Sequence, residues 1–85
     1  MFPVTFIKQN VEISLDLNAK EYNSLKLLIN RYPHSVLNSE FELTLNYLRV
    51  TIKKLREKGK GIFEIHSSYG RSYTLFLNSG VSVRI

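Results

Sequence analysis

The stretch Leu48-Arg-Val-Thr-Ile-Lys-Lys-Leu-Arg56, followed after a short break by Tyr69-Gly-Arg-Ser-Tyr-Thr-Leu75, carries more structural information than any other part of the chain. At about 100° per residue, Leu48, Ile52 and Leu55 fall within a narrow arc, so the first segment is an amphipathic helix with that arc as its core face. Almost diametrically opposite lie Asn46, Val50, Lys53, Lys54 and Glu57, with Tyr47 beside them and Arg49 and Arg56 on the flanks. The second segment reads as the tip and return strand of a β-hairpin, with Gly70 able to take the positive φ of a tight turn. Tyr73 alternates into the core with Leu75 and Leu77, which leaves Tyr69 and Arg71 at the tip.

The helix begins near Asn46 and continues to Lys58, with Gly59 as its C-cap and cations in its last turns, where they meet the negative end of the helix dipole. Upstream, Ser39-Glu-Phe-Glu42 has the spacing of a capping box and predicts a short helix to about Thr44 or Leu45 that buries Phe41 or Leu43. A first helix begins with Asn18 as its N-cap and Glu21 three residues on, and Tyr22, Leu25, Leu28, Ile29 and Tyr32 recur at spacings of three and four, which makes one face apolar. It stops at Arg31 or Tyr32, because the residue before Pro33 is pushed out of the α region. Residues 3–7 and 11–17 read as strands joined by a turn at Lys8-Gln9-Asn10, the second alternating Val11, Ile13, Leu15 and Leu17 against Glu12, Ser14 and Asp16. Downstream, 62–66 and 73–77 are the hairpin strands, and Asn78-Ser-Gly80 turns the chain into a last strand at 81–85. The expected order is β-β-α-α-α-β-β-β in a single domain, 1–85. The expected fold is α+β: a winged helix-turn-helix with three helices, an N-terminal β-hairpin and a C-terminal wing hairpin.

A chain of 85 residues with 44% apolar composition supports one core. Cysteine is absent, which excludes disulfides, thiolate nucleophiles and cysteine-containing zinc sites. Lys8, Gln9, Asn10, Glu12 and Asp16 interrupt any leader-like apolar run at the start, and no segment reaches the roughly 18 apolar residues of a membrane span, so the expected location is cytoplasmic. The net charge of +5 is unevenly placed: residues 1–45 sum to −1 and residues 46–85 to +6. Arg49, Lys53, Lys54, Arg56, Lys58 and Lys60 crowd around Glu57, which by charge alone is the footprint either of a polyanion partner or of a solvated helix face.

On the exposed helix face the residue types suit a major groove. Lys and Arg reach phosphates or guanine edges, Asn pairs with adenine, and Val touches a thymine methyl. At the hairpin tip, Arg71 is placed to enter a narrow minor groove, and Tyr69 either packs on the DNA backbone or caps the turn. The candidate DNA-binding residues are therefore Asn46, Tyr47, Arg49, Val50, Lys53, Lys54, Arg56, Tyr69 and Arg71.

From Leu17 to Leu75 the chain resembles the OmpR/PhoB-type winged-helix effector domain. The resemblance lies in the leucine-rich first helix, the Val36-Leu37-Asn38-Ser39 approach to the second, the basic third helix and the Gly-Arg-Ser-Tyr hairpin return. It implies transcription regulation through double-stranded DNA, with Lys53, Lys54 and Arg56 matching the basic residues of the recognition helix and Gly70 to Tyr73 the wing. Ser72 stands where the family usually carries a second wing glycine, and the loop between second and third helices is very short. Further partners compatible with this reading are a second copy of the chain or another transcription protein, with no membrane.

Other chemistry finds little support. His34 and His66 are far apart in sequence with no acid at ligand spacing, and the carboxylates are not paired, so neither a metal, a cofactor nor an enzyme is expected. The alternative reading is a protein-interaction module, in which the basic helix meets an acidic partner and an exposed strand edge pairs with another chain.

Overall fold

The computed structural model describes residues 2–84. Strands β1 (Phe2–Lys8) and β2 (Val11–Leu17) form the N-terminal hairpin, pairing Phe2 with Leu17 through Lys8 with Val11. Their two-residue turn has positive φ at both Gln9 and Asn10, the handedness that matches the twist of a hairpin. Helix α1 (Ala19–Arg31) follows, and its capping box closes as the sequence predicts: the Asn18 side chain accepts from the Glu21 N–H at 2.8 Å and the Glu21 carboxylate accepts from the Asn18 N–H at 3.0 Å. Beyond it come β3 (Val36–Leu37), a 3-10 turn (Asn38–Phe41), helix α2 (Leu45–Lys58), and strands β4 (Phe63–Ser68), β5 (Ser72–Leu77) and β6 (Val81–Arg84). The last residue of the strand expected at 81–85, Ile85, lies outside the described residues.

The strands form two three-stranded sheets, in orders β2-β1-β6 and β3-β5-β4. β1 is central in the first, pairing with β6 from Lys8 and Val81 to Thr5 and Arg84. Phe6 of that sheet meets Phe63 of the other at 5.4 Å between ring centroids, joining both to one core with Leu17, Leu25, Leu28, Leu48, Ile52, Leu55 and Leu75. None of the described helices is long and apolar enough to cross a membrane.

The three-helix winged helix-turn-helix expected from the sequence is overturned: the described residues form two α-helices and six strands in two sheets. Where a second α-helix is expected there is a single 3-10 turn, for three physical reasons. Val36 and Leu37 are held extended by pairing with Tyr73 and Ser72, so the chain cannot turn until Asn38. The capping carboxylate is Glu40 rather than Glu42: it accepts from the Leu37 N–H at 3.0 Å and from Arg31 at 2.5 Å. Glu42 then adopts the left-handed conformation (φ 56°), which ends the turn, and extended Thr44 begins α2 by accepting from the Tyr47 N–H at 3.4 Å.

Candidate nucleic-acid interface

Helix α2 carries most of the candidate residues and is fixed by its buried stripe of Leu48, Thr51, Ile52 and Leu55. It ends at Gly59, whose N–H donates to the Leu55 carbonyl at 2.8 Å. A glycine is needed there for space rather than for a special φ, since a Cβ would stand 2.2 Å from the buried Phe63 ring. With one face committed to the core, Asn46, Tyr47, Arg49, Val50, Lys53, Lys54 and Arg56 are all exposed, as the helical periodicity requires. Asn46, Val50 and Lys53 lie directly opposite the core stripe. Arg49 and Arg56 share the flank turned toward the hairpin, while Tyr47 and Lys54 share the flank turned toward α1.

Both flanks are tied to neighbouring elements. Arg56 donates through Nε to the Ile65 carbonyl of β4 at 2.9 Å and lies 6.0 Å from the Tyr73 ring, so its guanidinium is held against the edge of the second sheet. On the other side Lys20 of α1 sits 3.8 Å from the centroid of the Tyr47 ring. That contact brings a further cation beside the start of α2, one that no local pattern in the sequence connects to it.

The basic cluster divides into bound and free charges. The Lys58 ammonium is turned away from the exposed strip: it lies 2.7 Å from the Glu21 carboxylate and donates to the Asp16 carbonyl at 3.1 Å. Glu21 is only 2% exposed. Burial pushes its pKa upward, but the Lys58 hydrogen bond, the Asn18 N–H and the charges of Lys58 and Lys54 outweigh this and hold the carboxyl below its ordinary value. Arg84 pairs with Glu12. Among the described residues no carboxylate lies within ion-pair distance of Arg49, Lys53, Lys54, Lys60 or Arg71.

The β4–β5 hairpin ends in Ser68-Tyr69-Gly70-Arg71, closed by the Arg71 N–H donating to the Ser68 carbonyl at 2.9 Å. Tyr69 and Gly70 both have positive φ, 53° and 66°. The Tyr69 side chain is 97% exposed, so it adds nothing to the core, and a tyrosine held in this conformation is disfavoured where Gly or Asn would be accommodated. Tyr73, by contrast, is buried and meets Phe41 edge-on at 6.0 Å, as its alternation with Leu75 requires.

The 3-10 turn brings hairpin and helix together. It leads directly into α2 and packs on it, and its first residue binds the hairpin tip: the Asn38 N–H donates to the Arg71 carbonyl at 2.9 Å and Nδ2 donates to the Gly70 carbonyl at 2.8 Å. Tyr69 and Arg71 therefore stand at the same end of the molecule as the first turns of α2. Of the nine sequence candidates, all are at the surface, Arg56 and Tyr47 are engaged with neighbouring elements, and Lys20 and Lys60 join them as cations that the candidate set lacks.

No protein-family model matches the chain, and no curated protein or solved structure shows significant similarity to it. The resemblance to the OmpR/PhoB type accordingly stands on the quoted residues alone.

Proposed function

We propose that this protein is a cytoplasmic, sequence-specific binder of double-stranded DNA, a small transcriptional regulator that lays the exposed face of α2 in the major groove and sets the β4–β5 tip on the minor groove or the backbone. The observation that carries this reading is the set of cations without acidic partners, Arg49, Lys53 and Lys54 on α2 with Arg71 on the tip fastened beside its first turns. Arg49, Lys53 and Lys54 supply phosphate contacts and affinity. Asn46 and Val50, between them on the exposed face, supply groups suited to an adenine edge and a thymine methyl. The test is a gel shift with random duplexes at two salt concentrations, followed by selection of bound sequences. Salt-sensitive retardation with enrichment of a shared site supports the proposal; no retardation at low salt refutes it.

A second reading has its own observation. A groove of about 410 Å³ is lined by Ile29, Tyr32, Leu75, Leu77, Val81 and Val83, beside β6, which pairs with β1 on one side only. An apolar groove beside an open strand edge suits a protein-interaction module. Variants of the α2 cations that abolish DNA binding would assign function to the other face of the molecule and set this reading aside.

A further inference from the structure

We propose that Asn38 is the positioning residue of the hairpin tip, holding Tyr69 and Arg71 in place for DNA while making no contact with the duplex; this rests on the DNA-binding reading above. Two consecutive tip carbonyls, those of Gly70 and Arg71, are held by one residue more than thirty positions earlier in the chain, through Nδ2 at 2.8 Å and the main-chain N–H at 2.9 Å. Together with the closing bond between Arg71 and Ser68 and the pairing of Ser72 with Leu37 and Ser68, these bonds fix the tip to the body of the molecule. A hairpin end tied only to itself would sample many orientations, and each would have to be ordered when DNA binds.

The anchor is itself rigid. Asn38 opens the 3-10 turn whose Glu40 is bonded to both Leu37 and Arg31, and whose Phe41 is buried against Tyr73. It also belongs to the turn that precedes α2 and packs on it, so the tip is registered against the helix and not merely restrained. The Asn38 Oδ1 accepts no hydrogen bond from another protein group, so the amide acts on the fold through what its Nδ2 holds. Loss of that amide removes one exposed hydrogen bond, so the domain keeps nearly its full stability while the tip is loosened.

The experiment is a double-mutant cycle on duplex affinity with wild type, Asn38→Ala, Arg71→Ala and the pair, accompanied by amide hydrogen exchange. Alanine leaves the charge unchanged, so the salt dependence stays comparable across the set. Asn38→Ala is expected to weaken binding about 2- to 12-fold, the range for one net hydrogen bond, and to have a smaller effect once Arg71 is alanine, when only Tyr69 is left to be positioned. The Arg71 amide should exchange faster in Asn38→Ala while α2 amides and the unfolding midpoint stay close to wild type. Additive effects would mean that Asn38 touches DNA itself and would overturn the proposal, as would unchanged affinity in either single variant. If wild type fails to bind any duplex, the DNA-binding reading falls instead, and accelerated exchange at the tip would still establish the anchor.

Discussion

Three lysines within six positions, Lys53, Lys54 and Lys58, look alike in the sequence, but the structure separates them by partner. Lys53 and Lys54 have no acid within ion-pair distance, whereas the Lys58 ammonium is bonded to Glu21 and to the Asp16 carbonyl. If five cations without an acidic partner, Arg49, Lys53, Lys54, Lys60 and Arg71, each neutralise one phosphate, the logarithm of the binding constant should fall with the logarithm of salt at a slope of about −4.5, or about 500-fold between 50 and 200 mM. The double variant Lys53→Ala/Lys54→Ala keeps three contacts, for a slope of about −2.7 and a loss of about 40-fold over the same range. Lys58→Ala should leave the slope at the wild-type value. It should instead destabilise the fold by about 1 to 3 kcal/mol, less than the penalty for a fully buried broken pair because the lysine side chain is 39% exposed. Fluorescence anisotropy of a labelled duplex across the salt range gives the slopes, and thermal unfolding of the free proteins gives the stability. A slope flattened as much by Lys58→Ala as by Lys53→Ala would refute the partition of charges, and an unaltered slope in the double variant would remove α2 from the DNA.

Gly59→Ala should lower stability by about 1 to 3 kcal/mol through overpacking against the Phe63 ring, measured by urea unfolding; a neutral result would show that the ring moves aside freely. Tyr69→Gly should stabilise the domain by up to about 1 kcal/mol by relieving the left-handed backbone and should weaken duplex binding, two opposite shifts readable from melting and anisotropy on the same samples. Because the Glu21 pKa is lowered from 4.5 in the folded state, its contribution is fully present above that value and is lost as the pH falls through the folded pKa. Wild-type stability should therefore drop more steeply below pH 4.5 than that of Glu21→Gln, and parallel acid profiles would discount the Lys58 pairing.

Features written in local pattern were legible in the sequence. The Gln9-Asn10 turn, the Asn18/Glu21 capping box, the stop before Pro33 and the Leu48/Ile52/Leu55 stripe each depend on residues within one or two turns of each other. The Ser39 capping box failed because its competitor is non-local: pairing of Val36 and Leu37 with β5, and the Arg31 contact that recruits Glu40, decide where the chain turns. The exposed strip of α2 was equally readable, since a buried stripe dictates its opposite. Which cations remain free was not, because Lys58 finds its partner 37 residues away and Arg56 finds the Ile65 carbonyl across the interface with β4. Asn38 gave no sign at all, its partners lying on a hairpin 32 residues downstream.

The central place of β1 in its sheet has a consequence for how the chain is made. A nascent polypeptide emerges from its N-terminal end, so β1 and β2 can meet early across their short turn, while the other side of β1 waits for β6. Until Val83 arrives opposite Phe6, that side carries unpaired main-chain groups next to an aromatic ring destined for the core. A chain interrupted after the turn at Asn78 would keep this open edge permanently, and such an edge pairs readily with its counterpart on another chain. Prematurely terminated products of this protein should accumulate as aggregates rather than as partly active domains, even though the basic helix and the hairpin tip would both have been synthesised in full.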